Sequence, residues 1–552
     1  MEMTTPMNSS PTNNATDTTA LYRQQEQFED EPGSSYVDPS DNDLTMWPGA
    51  ALIVADCMGT GILALPNNMK VLGAFGLIFL VINLPINYYA GDILNNAAFS
   101  VENRLAGIHP SDLNTNTDGD SNGDGDGNNN NASESQSISD RGAGWNYDDD
   151  QPTETTNVKE PMQGQGHDHH HYGIDTPHTF DFIGITYALF DYYGRGGRGN
   201  GNGTASVSTP TILVTAIYYT NIFLVLGNYI LVMSHAVAAI FGEENICLPT
   251  AGIIASILMF AISQLRTMAT LGRSASIISL LSLAIVVFQC LAAIQLGHES
   301  FSYNDDQQDQ QQDNGDGDGD EVVTFWKSLV SQLAALSSIG FAVGSQKLFL
   351  NIRHEFKDRK KSPNSLAIAL VAFGTVYLMV CVLAGPDPPS LLFDAIASGV
   401  QRQIAGFLLW VHVAVSFAIN SQALCSSLDR LRFHRVTIFG LGDNHRARWA
   451  VLTFLVAVSS YFIANAVPFF KDLVALIGAL TSVPLTLLLP ALYHRKVIDV
   501  PLFWLGSSRS WSDVFSLLLV VFSVIFLVCG VIGSLSSIGM DWANHGPPFA
   551  CH

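Results

Sequence analysis

The sequence predicts an all-α integral membrane protein of eleven transmembrane helices, ten of them in a 5+5 inverted-repeat fold whose first and sixth helices are broken. Three observations predict this. Of 552 residues, 47% are hydrophobic and only 14% charged. The apolar residues gather into runs of about 20 to 30, enough to cross a hydrocarbon core of ~30 Å at 1.5 Å per helical residue. The first and sixth runs are each interrupted midway by glycine and hydroxyl residues. These interruptions lie five runs apart, and because five is odd, a second copy of a five-helix unit must sit upside down relative to the first.

The remaining composition narrows the class. The net charge of -23 comes from acids held in residues 1–46, 100–178 and 299–321, which read as solvated tails and loops and not as a face for nucleic acid or another basic partner. Cys57, Cys290, Cys381, Cys425 and Cys529 lie inside apolar runs as small buried side chains, and no CxxC pair exists. Cys247 and Cys551 fall near run ends and could meet in an oxidising compartment. No basic segment precedes a short apolar stretch near residue 1, so no cleavable signal peptide is expected.

In chain order, residues 1–46 are an acidic tail, and a transmembrane domain is expected over 47–540. The first run, 47–66, reads WPGAALIVADCMGTGILALP and carries Asp56, Gly59, Thr60 and Gly61 at its middle. Two glycines around a threonine favour unwinding, and the flanking half-helices then aim a positive N-terminal end and a negative C-terminal end at one point. The alternative is a small-residue stripe for close helix packing. After a second run, 70–99, the segment 100–178 is rich in Asp, Asn, Gly and Ser and is expected to be disordered; His167, His169, His170 and His171 near its end lack fixed geometry for a metal. The stretch 178–198 is amphipathic and too broken to span, so it reads as an interfacial helix. Further runs occupy 209–241, 247–265 and 271–296, followed by an acidic loop at 299–325. The sixth run, 326–350, contains Ser337, Ser338, Gly340 and Gly344 amid apolar residues, with no Lys or Arg in its interrupted part before Lys347. Runs at 363–385, 403–428, 447–467, 469–493 and 512–536 complete the set. In 403–428, His412, Ser416 and Asn420 are spaced four apart and therefore share one helical face.

Lys and Arg in the short loops fix the expected orientation. With the N-terminus inside, the inner loops hold fifteen basic residues, among them Arg353, Arg359, Lys360, Arg430, Arg446 and Arg495, against four outside, Lys70, Lys327, Arg402 and Lys471. The N-terminus and the loop at 100–178 are then cytoplasmic, and the loop at 299–325 faces outside or a lumen.

Several stretches together resemble the amino acid/auxin permease family of the amino acid-polyamine-organocation superfamily. They are GTGILALP at 59–66, the segment 187–198, FAVGSQ at 341–346 with HEF at 354–356, and LVALIGALTSVPLTLLLPALYH at 473–494. The resemblance covers 47–99 and 180–536. It implies transport of amino acids coupled to protons or sodium, with no bound cofactor. It places the substrate's carboxylate and amino group at backbone groups of Gly59, Thr60, Gly61 and Ile62, and it places the complementary break at Ser337, Ser338 and Gly340. Tyr229 matches a family tyrosine at the substrate. Where many sodium-coupled members carry asparagine, this chain has Ala55 and Asp56.

An ionisable acid inside a span is costly and functional by default, which makes Asp56 the candidate coupling acid. Ser416 and Asn420 would suit a sodium ion, which takes oxygen ligands, and His412 would suit a proton relay. The sequence therefore predicts a secondary active amino acid transporter, proton-coupled before sodium-coupled, in a plasma or a vacuolar/lysosomal membrane. A non-transporting amino acid sensor is the alternative. No nucleophile, base and orienting group can be assembled, so an enzyme is not expected. The amino acid and the lipid bilayer are the only partners implied.

Overall fold

In the computed structural model, residues 44–105, 181–192, 208–242, 244–264, 268–297, 320–356, 358–430, 445–499, 511–545 and 548–549 are described. Among them every regular element is a helix, with one isolated bridge between Leu44 and Phe356. The tail at 1–43, the histidine run at 167–171, and most of the loops at 100–178 and 299–325 lie outside the described residues.

The first run forms two helices, α1 (Met46–Cys57) and α2 (Gly61–Leu72), bent by 59° at Met58 to Thr60. A tight turn leads into α3 (Ala74–Leu105); Gly73, at φ 58°, takes the left-handed backbone that ends α2. The interfacial stretch folds as the short α4 (Phe182–Thr186), running into π-wound residues 187–192. Its Asp181 side chain caps it by accepting from Gly184 N at 2.8 Å. Then follow α5 (Thr209–Phe241), α6 (Leu248–Ile262), α7 (Met268–Gly297), α8 (Asp320–Val343), α9 (Phe349–His354), α10 (Ser362–Leu383), α11 (Val400–Arg430), α12 (His445–Ala466), α13 (Phe470–Val497) and α14 (Trp511–His545). Helices α5, α6 and α10 each start with proline in the first turn, where its missing N–H costs nothing.

Eight of these helices are long and apolar enough to cross a membrane, or nine with the bent α1–α2 pair as one. The chain is therefore an integral multi-pass membrane protein. Helices α5 and α13 are the most enclosed, whereas α14 shows an apolar stripe of Phe515, Leu518, Val521, Ile525 and Ile532 on the outside of the bundle. An exposed apolar surface of this extent belongs against lipid.

Polar contacts differ between the two ends of the bundle. At the basic end, Arg353 is buried and donates from Nε to Asn95 at 2.6 Å and from both terminal nitrogens to Glu102 at 2.7 and 2.9 Å. Arg359 reaches the same carboxylate at 3.0 Å. Removing one partner from such a buried group costs about 3–5 kcal/mol, because the other charge is left uncompensated. The N-terminal lead-in is tied here as well: Leu44 N donates to Glu355 O at 3.3 Å, and Ser365 Oγ to Met46 O at 2.8 Å. The Phe356 ring abuts Gly49, where a Cβ would collide with it. At the opposite end the ion pairs are Lys70 with Asp387, Arg402 with Asp394 at 3.0 Å, and Lys471 with Asp541 at 3.1 Å. Cys247, at the start of α6 on that end, is disulfide-bonded, while Cys57, Cys290, Cys381, Cys425 and Cys529 are free. Its expected partner, Cys551, lies outside the described residues.

Candidate functional site

The interruption in the first run is a real break. Helix α1 stops at Cys57 and α2 starts at Gly61, so the last carbonyls of one and the first N–H groups of the other lack intrahelical partners and face the gap. No left-handed residue is needed, since Thr60 has φ -63° and the positive-φ glycines lie elsewhere. Gly61 is required instead by proximity: a Cβ there would stand 3.0 Å from Ala342 Cα and 3.7 Å from the Phe341 ring. Gly59 is less confined, with the Tyr229 hydroxyl 3.7 Å from the corresponding position. Thr60 and Ile62 are both buried. The Thr60 hydroxyl accepts from Asn228 Nδ2 at 2.6 Å, which fastens the break to α5.

The second break is displaced from where the sequence placed it. Helix α8 runs unbroken through Ser337, Ser338 and Gly340 to Val343, and the helical course is lost over Gly344 to Leu348 before α9 begins. The serines make ordinary back-bonds one turn down the helix, Ser337 to Leu333 O at 2.8 Å and Ser338 to Ala334 O at 3.2 Å. Their small size serves packing. A Cβ on Gly478 of α13 would land on the Ser337 carbonyl, one on Gly530 of α14 on the Ser337 hydroxyl, and Gly340 is closed in by Val483 and Phe526. Gly344, Ser345, Gln346 and Lys347 form the break itself, all of them buried. Gln346 Nε2 donates to Asn87 O on α3 at 2.5 Å, while Gln346 Oε1 and Ser345 Oγ have no partner. The later break brings in a buried cation, Lys347.

A tyrosine that the sequence did not single out joins the two breaks. The Tyr377 hydroxyl on α10 is buried and donates toward Cys57 O at 2.7 Å and Ala342 O at 3.3 Å, the carbonyls that α1 and α8 leave unpaired near their ends. Its surroundings in 363–385 are plain apolar sequence, which carries no signal for it.

The polar stripe of α11 divides. Asn420 Nδ2 points at Asp56 Oδ1 at 3.3 Å and at Ser416 O at 2.9 Å, so Asp56 and Asn420 do come together. Ser416 Oγ is turned back toward His412 O at 3.4 Å. His412 lies away from the break, its Nδ1 2.8 Å from Ser279 Oγ on α7, and its Nε2 has no partner. Asn228 and Lys347 lie at the breaks as well. Each had a signal: an amide next to Tyr229, and an ammonium inside an apolar run, where charge is expensive.

Comparison with known proteins adds an independent observation. Residues 203–536 match the family model described as transmembrane amino acid transporter protein. That match starts beyond the first break. The chain is 26% identical over 210 residues to amino acid transporter AVT3C of Arabidopsis thaliana, covering 37% of this chain and 44% of the relative. To the N amino acid transport system protein of Neurospora crassa it is 25% identical over 240 residues, covering 41% and 49%. To amino acid transporter AVT1J of Arabidopsis thaliana it is 24% identical over 168 residues, covering 30% and 38%. The chain thus aligns with less than half the length of each of these relatives.

Proposed function

The chain belongs to the transmembrane amino acid transporter family, and from that premise we propose that it is a secondary active transporter of amino acids, coupled to protons, that works by alternating access around its two breaks. Eleven spans are proposed: the nine apolar units together with the shorter apolar helix α6 and the 24-residue α8. The breaks in the first and sixth of these fit two inverted five-helix repeats. The proposed site has the substrate carboxylate at the N–H groups that open α2, at Gly61 and Ile62, and its ammonium toward the carbonyls that close α1. Gly59, Thr60 and Tyr229 line it.

The observation that carries proton coupling is the place of Asp56. It is a buried acid in the last turn of α1, beside the break, and Asn420 offers it an amide N–H and not an oxygen. A sodium ion would want oxygens turned inward. Orientation follows the basic bias: the basic end is proposed to be cytoplasmic, and the disulfide at Cys247 then faces an oxidising exterior or lumen. Residues 1–46 and 100–178 are proposed as cytoplasmic segments, and 299–325 as a loop on the other side.

Purified protein in liposomes tests this with a labelled amino acid mixture under separate proton and sodium gradients. Uphill uptake driven by the proton gradient alone is expected. Asp56→Asn should abolish it while leaving exchange at equal pH. Saturable binding with no flux under either gradient would replace the transporter reading with that of a sensor.

A further inference from the structure

The core between the two breaks holds two groups that carry charge, Asp56 and Lys347, each 6% exposed. The other buried ionic side chains, Asp191, Arg353, Asp472 and Arg495, lie toward the ends of the bundle with polar contacts of their own. Both sit beside the breaks, Asp56 in the last turn of α1 and Lys347 in the turn between α8 and α9. The two form no direct ion pair, and the Lys347 ammonium rests on the face of Phe341, 4.6 Å from the ring centroid. The same ring borders Gly61. The Phe341 ring thus lies close to both the start of α2 and a buried ammonium.

A desolvated ammonium without a carboxylate in contact is expensive, and a flexible four-carbon stem lets it move between partners. Resting on the transport reading above, we propose that Lys347 is the second ligand of the substrate carboxylate and the link between proton binding and substrate binding. While Asp56 is ionised, its charge competes with the substrate carboxylate for the ammonium. When Asp56 takes a proton, the ammonium is left to the substrate's carboxylate, so proton and α-amino acid bind together. The other groups around Asp56 are neutral hydrogen-bonding or thiol groups: Cys57 next to it in the chain, Tyr229 of α5 at Gly59, Tyr377 of α10 on the Cys57 carbonyl, and Asn420 of α11. His412 is turned to Ser279 of α7.

The test titrates the full chain in detergent with each of the twenty L-amino acids at pH 5.5 and pH 8, and at pH 5.5 also with their amides, which there keep the ammonium and lack the carboxylate. The zwitterion's own charges do not change at the carboxylate over that range. Wild type should bind its best amino acid at least tenfold tighter at pH 5.5 and prefer it over the amide. Asp56→Asn should bind at pH 8 as tightly as wild type does at pH 5.5. Lys347→Met should lose at least tenfold and lose both the pH dependence and the preference over the amide. A Lys347→Met protein that keeps the pH dependence overturns the inference and leaves amino acid transport standing. Should that variant not fold, a wild type that binds amides as tightly as acids overturns it equally. No binding of any of the twenty by wild type would bring down the transport reading itself.

Discussion

Two glycine-bearing interruptions of apolar runs, at 59–61 and 337–340, look alike in sequence and do opposite things. At the first, the chain leaves the helix and bends by 59°. At the second, α8 continues without a break, and the small side chains admit the backbone of Gly478 and the helix carrying Gly530. A glycine in a membrane helix marks close approach in both cases. What separates them is the polar support around the backbone. Cys57 O and Thr60 have Tyr377 and Asn228 waiting for them, whereas at 337–340 every helical bond is kept and the serines bond only their own helix.

Three substitutions would break or sharpen this contrast. The largest effect is expected at Gly61, where valine must push against the Ala342 backbone and fill the space proposed for the carboxylate. Affinity should fall about a hundredfold, ~2.8 kcal/mol, with alanine near tenfold, in protein that reaches the membrane normally. Equal affinities for wild type and Gly61→Val would make the first break a packing feature like the second. Next comes Asn228→Ala, which removes the 2.6 Å bond to Thr60. A loss of about 1–2 kcal/mol in substrate binding, read by titration, is expected from one buried hydrogen bond. The smallest effect on binding belongs to Gly340→Ala. A Cβ there meets Val483 and Phe526 at 2.9 and 3.3 Å, so overpacking should lower the melting temperature by an amount matching about 1–3 kcal/mol, with affinity unchanged. A deep loss of affinity at unchanged melting temperature would move the site toward 337–340.

Much of the helical framework was legible because a hydrocarbon solvent demands long apolar helices, and this demand is written along the chain as runs and loops. The first break was legible for a second reason: glycine, threonine, glycine and an acid coincide there. The second was misplaced by about one to two turns, since Gly340 and Gly344 both looked suitable and only the position of α13 decides between them. Tyr377 was invisible, because a hydroxyl among Val, Leu and Phe reads as packing until its partners Cys57 and Ala342 are brought near by the fold. The pairing of Asp56 with Asn420 needed the register of α11 against α1. His412 shares the fourfold spacing of the stripe, but the turn of the helix points it at α7.

The tie at Leu44 makes the bundle mechanically lopsided. Where Arg353 clamps α9 to α3 through a guanidinium fork, α1 is held at the same end by one rung to Glu355, one serine bond and a phenylalanine resting on Gly49. Side by side these are a door frame and a door leaf. Two neutral hydrogen bonds at about 0.5–1.5 kcal/mol each set the latch strength near 1–3 kcal/mol before the ring is counted. Contacts of that size are weak beside the guanidinium fork, whose loss costs about 3–5 kcal/mol. The rung is made by Leu44, two residues before α1 begins, so its pairing bears on the first turn of that helix.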